Sequence, residues 1–246
     1  MRLVTLLLLS MSAASVMAAT SPLDASRQCI VVIGRDWGST TGILKAFERP
    51  AAGGQWKLRG GAVPVVLGKR GMAWGVGLFG ANQTAPRKTE GDNKVPAGIF
   101  RVGPAFGYAA STEASWVKLK YVPLTAETEG IDDPRSRYYN RLVERSKVAR
   151  VDWRSSEQMR RKDDLYKWGI VVDHNPAAIP GAGSCIFFHI WKNSRSATAG
   201  CTAMPERDLV NLLRWLEPVA RPLLVQMPRR AYEALQPKLN LPALPR

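Results

Sequence analysis

Short apolar runs, separated by glycine, proline and polar residues, fill the first half of the chain after residue 28. Runs of this length bounded by turn residues are typical of buried strands. They predict strands at CIVVIG, GILKAFER, GQWKLRGG and AVPVVLGKRG, and at residues 99–102 after a turn set by Pro96 and Gly98. We therefore expect the first half to be mainly β with short connections.

The second half mixes helix and strand patterns. Residues 155–168 read SSEQMRRKDDLYKW, in which Ser155 and Gln158 have the spacing of an N-terminal capping box. The charges in this segment are mixed in sign, which favours a solvated helix. WGIVVDHNP and SCIFFHIW then predict two further strands.

A regular spacing of leucines predicts an amphipathic helix between Pro205 and Pro218. The apolar positions recur at i, i+3, i+4 and i+7, at Leu209, Leu212, Leu213 and Leu216. PLLVQMP predicts a last strand. Residues 229–246 form a proline-rich C-terminal tail, of which QPKLNLPALPR is expected to be loose. The pattern as a whole favours one mainly β domain with a few helices.

The first nineteen residues have the order of a secretory signal peptide. Arg2 precedes an apolar run from Leu3 to Leu9, and small residues follow up to Ala19. The run is short for a membrane span, although an uncleaved anchor is the alternative. The mature protein is therefore expected to be exported and soluble, in the periplasm or cell wall.

The formal net charge is +15, from 35 basic and 20 acidic residues. The basic residues are scattered in pairs, without a basic arm or zinc-finger spacing, so nucleic acid is not the expected partner. Outside the cytoplasm, an anionic wall polymer or a membrane surface is the more natural partner. A basic surface with no specific polyanion is an equally good interpretation.

Two of the three cysteines and one of the two histidines lie in one short segment, GSCIFFHIWKNSRSATAGC. A disulfide, a metal site and a nucleophile with its base are the three explanations. Cys185 precedes His189 by four residues and Cys201 follows it by twelve, without the second close pair typical of zinc sites. A disulfide could join Cys185 to Cys201 or to Cys29, and the sequence does not choose between them.

Cys201 has the surroundings of a nucleophile. Gly200 before it permits a tight turn, and a helix start follows at Pro205, where free backbone N–H groups can hold an oxyanion. His189 would serve as the base if the twelve-residue step folded back like a hairpin loop. A Cys–His dyad for acyl transfer is therefore one candidate chemistry.

The segment from His189 to Thr198-Ala199-Gly200-Cys201 resembles the H…(S/T)-x-G-C signature of the L,D-transpeptidase catalytic domain, the YkuD/ErfK-type family of bacterial cell-wall enzymes. GDNKVPAGIFRVG, with Pro96, Gly98 and Phe100, is similar to a second motif of that family. The resemblance covers roughly residues 29–228, and several segments resemble a divergent bacterial branch. The chain departs from the commoner pattern at Ala199 and at Thr202-Ala203.

The resemblance implies an L,D-transpeptidase-type β-sandwich at residues 26–228 with the C-terminal amphipathic helix packed on it. It implies that Cys201 attacks the carbonyl of the third residue of a peptidoglycan stem tetrapeptide, with His189 as proton carrier. Backbone N–H groups around Gly200 would stabilise the oxyanion. An amine acceptor would give a 3→3 cross-link and water would give L,D-carboxypeptidase action, without metal or cofactor. Such a protein would serve wall biogenesis and cell shape.

The remaining polar residues are weaker candidates. Four side chains are predicted to shape the substrate cleft: Ser184, Trp191, Asn193 and His174. A satisfied structural histidine is the alternative for His174, and packing is the alternative for Trp191. Tyr138, Tyr139 and Arg141 are candidates for a flap over the cleft, with a solvated helix as the alternative. Asp132-Asp133 is a candidate partner for a cationic substrate. A wall-binding protein without catalysis is the competing function.

Overall fold

The structure is a computed structural model that describes residues 21–84 and 86–245. The predicted signal peptide lies outside these described residues. The strands are β1 Gln28–Gly34, β2 Thr41–Glu48, β3 Lys57–Val66, β4 Met72–Trp74, β5 Val95–Gly107, β6 Tyr121–Pro123, β7 Thr128–Ile131, β8 Leu142–Glu144, β9 Ser156–Gln158, β10 Trp168–Val172, β11 Phe187–Ile190, β12 Thr202–Met204 and β13 Leu223–Pro228. The helices are α1 Glu206–Trp215 and α2 Arg229–Leu239.

One large sheet dominates the fold. Its strand order is β10-β11-β12-β3-β2-β1-β13-β5-β4, with β6 beside β5. Because β10 also pairs with β5, the sheet closes on itself. The two layers of the expected sandwich are therefore parts of one continuous, closed sheet. A separate small sheet has the order β8-β7-β9. The predicted mainly β fold is confirmed.

Strand β1 lies at the centre and is buried at every position. Ile30 and Val32 pack into one apolar cluster, whereas Val31 and Ile33 pack into another on the opposite face. This alternation is the period of two expected for a strand covered on both sides. The continuous apolar run CIVVIG therefore reflects two-sided burial.

The amphipathic helix is confirmed as α1. Leu209, Leu212 and Leu213 are buried and join the cluster that contains Ile30. Pro205 is the N-cap, and its carbonyl oxygen accepts hydrogen bonds from the N–H groups of residues 208 and 209. Salt bridge Lys167–Glu206 ties the first turn to the segment before β10.

The prediction of a loose C-terminal tail is wrong. Residues 229–239 form α2, which packs against β13 and β1. Tyr232 is 1% exposed, and its hydroxyl donates a hydrogen bond to the Pro242 carbonyl oxygen. Leu241 is also buried in the cluster that contains Val31. The helix covers the outer face of β1. The proline content of the segment gives no information about this long-range contact.

The predicted helix at residues 155–168 is also wrong. The segment contains strand β9 and a 3-10 turn at Asp164–Tyr166. The Gln158 side chain, one half of the predicted capping box, donates to the Ala126 and Thr128 carbonyl oxygens, and Met159 is fully buried. Pairing of β9 with β7 has overridden the local helix signal.

Two predicted boundaries inside the large sheet need correction. GQWKLRGG and AVPVVLGKRG are not two strands, because β3 runs continuously through Gly60 and Gly61 with an irregularity in its pairing to β2. Pro96 and Gly98 lie within β5 rather than in a turn. A Cβ on Gly98 would lie 2.3 Å from the Phe79 carbonyl oxygen, so close backbone approach explains this glycine.

Candidate active site

Strands β11 and β12 bring the predicted nucleophile and base together. They pair in parallel, with His189 opposite Ala203 and Phe188 opposite Thr202. Parallel pairing means that the loop between His189 and Cys201 is not the hairpin-like loop that was expected. It must carry the chain back along the length of β11 before β12 begins. Cys201 lies just before β12, alongside Phe187, two residues before His189 on the same strand face.

The Cys201 thiol is held by backbone groups. Its Sγ accepts a hydrogen bond from the Phe187 N–H at 3.3 Å and donates one to the Cys185 carbonyl oxygen at 3.6 Å. Cys201 is only 9% exposed. Burial raises the pKa of the Cys201 thiol to about 12, and the nearby Glu157 carboxylate adds to this rise. The thiol is therefore neutral at physiological pH.

His189 has a defined orientation. Its Nδ1 lies 2.8 Å from the Ile190 carbonyl oxygen, an atom that can only accept, so Nδ1 carries the proton. The other nitrogen, Nε2, is then an unprotonated acceptor. Tyr166 packs edge-on against the ring, with centroids 5.2 Å apart. Burial lowers the pKa of His189 to about 4, which keeps the imidazole neutral.

Cys201 and His189 line the same cavity, whose volume is about 420 Å³. In the described part of the chain no hydrogen bond joins the Cys201 thiol to the imidazole, since both groups use backbone partners. The resting pair is thus a neutral thiol beside a neutral imidazole. Such a pair needs a proton transfer to make the thiolate.

Thr198 fixes the turn before Cys201. Its Oγ1 donates to the Cys201 carbonyl oxygen at 2.5 Å and accepts from the Gly200 N–H at 3.2 Å. Gly200 has φ +151°, which favours glycine. Since the Gly200 N–H is already bonded, it is not free to hold an oxyanion, contrary to the expectation for this residue.

The four predicted cleft residues divide evenly. Ser184 and Trp191 line the cavity, and the Ser184 hydroxyl donates to the Glu90 carboxylate at 2.8 Å. Asn193 is exposed, accepts from the Arg195 N–H and does not line the cavity. The structure thus gives Asn193 a loop-turn role rather than a place in the cleft.

His174 also lies away from the cavity. It is 1% exposed, its Nδ1 accepts from the Val76 N–H at 3.2 Å, and its Nε2 lies 3.0 Å from the Ala182 carbonyl oxygen. Both ring nitrogens are therefore satisfied by backbone groups. Burial lowers the pKa of His174 to about 4. Its position corrects the predicted cleft role and agrees with the structural alternative.

Sequence reasoning missed two residues that border the thiol. Tyr166 is buried and donates to Glu157 at 2.6 Å. Burial raises the pKa of Glu157, whose carboxylate lines the cavity. Both residues fall in the segment predicted as a solvated helix, so their inward position was hidden by the wrong secondary structure.

The small sheet supplies one wall of the cavity. Asp132, next to β7, and Glu157 of β9 both line it. Tyr139, a candidate flap residue, is instead buried, and its hydroxyl donates to Glu90. Asn140 braces the neighbouring loop, since its side chain donates to the carbonyl oxygen of His174 at 2.8 Å and accepts from the Cys185 N–H.

All three cysteines lie among the described residues and are unbonded to one another. Cys29 is buried in β1, and burial raises its pKa. Cys185 has a positive φ of 53°, and burial raises its pKa well above the ordinary value. Within residues 21–84 and 86–245, no group of three or more His, Cys, Asp or Glu side chains is placed to hold a metal ion.

A comparison with protein families identifies the class. The sequence profile of the YkuD family, described as the L,D-transpeptidase catalytic domain, matches residues 55–225. The chain therefore belongs to this family, whose enzymes act on peptidoglycan in the cell envelope. Strands β1 and β2 precede the match but pair into the same sheet.

No curated protein matches the chain. The fold is similar to the crystal structure of the helical cell shape determining protein Pgp2 from Campylobacter jejuni, with 13% identity and a TM-score of 0.38. The match covers 87% of this chain and 52% of that one, so the chain spans about half the length of that structure.

Proposed function

We propose that this protein is a peptidoglycan L,D-transpeptidase in which Cys201 is the nucleophile and His189 the base. One observation carries the proposal: His189 on β11 and Cys201, directly before the adjacent parallel strand β12, line one cavity. The bond from His189 to the Ile190 carbonyl oxygen leaves Nε2 as the proton acceptor. A nucleophile with a base oriented by a third group is the arrangement that covalent acyl transfer requires.

The reaction proceeds in two steps. Cys201 Sγ attacks the carbonyl carbon of the third residue of a stem tetrapeptide while Nε2 of His189 takes the thiol proton. The imidazolium then protonates the departing amine of the terminal D-alanine, which leaves a thioester on Cys201. A side-chain amine of a second stem attacks the thioester and loses its proton to His189. The C–S bond breaks, Cys201 leaves as the thiolate and takes that proton, and the 3→3 cross-link is formed.

The oxyanion of each tetrahedral intermediate needs a donor. Because the Gly200 N–H is bonded to Thr198, we assign this role to the Cys201 N–H. A single backbone donor of this kind contributes roughly 3 kcal/mol to lowering the barrier. Gly200 then acts by its conformation, which turns the chain so that the nucleophile faces the cavity.

The cavity also offers groups of both charge signs. The carboxylates of Asp132 and Glu157 face it, as do the cationic groups of Arg161 and Lys192. A stem peptide with a free amine and free carboxylates matches this mixture. Ser184 and Trp191 complete the proposed substrate contacts.

We place this activity in the cell envelope, with residues 1–19 as an export signal, residues 26–228 as the catalytic domain and residues 229–246 as a C-terminal extension. The basic composition agrees with work on an anionic wall. No helix in the described ranges is long and apolar enough to cross a membrane.

Product analysis tests the proposal. The purified protein and its Cys201→Ala variant are incubated with purified disaccharide-tetrapeptide, and products are separated and weighed by mass spectrometry. We expect 3→3 dimers and free D-alanine from the wild type and neither from the variant. Tripeptide without dimer would assign a carboxypeptidase on the same residues.

A matched control separates chemistry from folding. Cys185→Ala removes a second, half-buried thiol from the same cavity but should keep dimer formation within about threefold of wild type. Identical product profiles from the wild type and Cys201→Ala would leave a wall-binding protein without catalysis as the better account.

A further inference from the structure

A second cavity lies apart from the candidate active site. Its volume is about 780 Å³, against about 420 Å³ for the cavity that contains Cys201, and the two share no lining residue. It is bordered by the middle of β5, the start of β13 and the turn at Pro218–Ala220. The proposed mechanism uses none of these residues, and only the last three residues of the GDNKVPAGIFRVG motif, 101–103, reach the lining.

Three cations line this cavity without an acidic counterpart. Arg101, Lys120 and Arg221 all border it, and no Asp or Glu from the described ranges does so. Within those ranges none of the three side chains has a salt bridge, whereas nearby Lys118 is paired with Glu217. Asp173 feels the charge of Arg101 but lies outside the lining. The cavity thus carries uncompensated positive charge.

The rest of the wall is largely apolar. Leu78, Leu119 and Leu223 line it together with four prolines. Arg221 has a positive φ of 49°, a conformation costly for a non-glycine residue, and follows the Pro218–Ala220 turn directly. Arg101 and Leu223 are register partners on β5 and β13, so a cation and an apolar wall residue stand side by side.

We propose that this cavity binds a phosphate-bearing amphiphile, with Arg101, Lys120 and Arg221 around the phosphate and the leucines against the apolar chain. Several cationic groups around one site suit the several oxygens and multiple charge of a phosphomonoester. A mostly apolar pocket with a few convergent polar groups is the usual form of a ligand site. The site would bind its ligand whether or not Cys201 is catalytic.

Calorimetric titration tests the proposal with dihexanoyl phosphatidic acid, kept below its critical micelle concentration. We expect it to bind at least about tenfold more tightly than dihexanoyl phosphatidylcholine, whose headgroup is zwitterionic. The Arg101→Gln, Lys120→Gln, Arg221→Gln triple variant should lose about tenfold in affinity, since the contacts to the phosphate are removed. Arg101→Gln alone, on an exposed side chain, gives a smaller loss in a fold left intact.

The control variant removes equal charge elsewhere. Lys147, Arg150 and Arg230 are exposed and outside this cavity, so changing all three to Gln should leave affinity within about twofold. Equal loss in this control, equal binding of the zwitterionic lipid, or no binding of phosphatidic acid would overturn the proposal. If inorganic phosphate bound as tightly as the amphiphile, the proposed contact between the leucines and the apolar chain would be wrong.

Discussion

At the scale of residues, the site depends on a few backbone contacts around two side chains. The Ile190 carbonyl oxygen sets the tautomer of His189, and Thr198 ties down the turn that carries Cys201. The sequence motif predicted Cys201 and His189 as the reacting pair, because both lie in one short segment. It could not identify Glu157 or Tyr166, because both depend on distant pairings. Glu157 reaches the cavity through the pairing of β9 with β7, and Tyr166 through the turn before β10, which pairs with β11.

Thr198 provides the first prediction. Thr198→Val keeps the shape but removes the hydroxyl that bridges Gly200 and Cys201, so the nucleophile should shift and kcat/KM should fall about 10- to 100-fold. Thr198→Ser retains the hydroxyl and should stay within about threefold. The rates are measured from dimer formation. A Thr198→Val enzyme as fast as Thr198→Ser would show that the turn does not depend on this bridge.

The pH dependence of activity provides the second. His189 must be neutral to accept the thiol proton, and its pKa is lowered to about 4, so protonation at lower pH removes the base. We expect kcat/KM to be flat from about pH 5 to pH 9 and to fall only near pH 4, as measured in buffers of constant ionic strength. An acid limb near the ordinary histidine value of 6.5 would contradict the buried, neutral imidazole.

At the scale of elements, the spacing of apolar residues predicted secondary structure correctly where the apolar face of the element packs into the core. Strand β1 and helix α1 follow their apolar patterns closely. Helix α2 and strand β9 were mispredicted because their partners are distant in sequence: α2 covers β1, and β9 completes the small sheet. Capping-box spacing and proline content are local signals and cannot report such partners.

Helix α2 provides the third prediction. Tyr232 is buried against the outer face of β1, so Tyr232→Ala should lower the free energy of unfolding by about 3–5 kcal/mol. Tyr232→Phe loses only the bond to the Pro242 carbonyl oxygen and should cost about 1 kcal/mol. Urea unfolding measures both. The exposed Arg230→Ala on the same helix is the control, and an equally small effect for Tyr232→Ala would mean that α2 is not docked.

At the scale of the whole molecule, a closed sheet holds two buried histidines and three buried or half-buried cysteines in uncharged form. The fold stabilises these neutral forms, because burial away from water disfavours the charged form of each group. Because β10 pairs with both β5 and β11, the closure also fixes the position of β11, which carries His189. The spacing of apolar residues in the sequence predicts strands, but it does not predict which strands pair to close the sheet.

Acid stability provides the fourth prediction. The pKa values of His174 and His189 are lowered to about 4, so the unfolded chain binds protons at higher pH than the folded one. Stability is therefore full above the unfolded value of about 6.5 and is lost as pH falls toward 4, by up to about 3 kcal/mol for each histidine. Urea unfolding at pH 7 and pH 4.5 measures the loss.

His174→Gln isolates the contribution of His174 to this loss of stability, since His174 lies outside the cavity. The variant should lose about 2 kcal/mol less than the wild type between pH 7 and pH 4.5. A loss as large as that of the wild type would show that His174 is not held neutral in the fold.

The central claim is that Cys201 carries the acyl group, and trapping that intermediate tests it most directly. The protein is mixed with disaccharide-tetrapeptide, quenched in acid, digested and mapped by mass spectrometry. We predict a tripeptide acyl adduct on the fragment that contains Cys201, absent in Cys201→Ala and formed at least about 100-fold more slowly in His189→Ala. Products formed without an adduct on Cys201, or with the adduct on Cys185, would contradict the account.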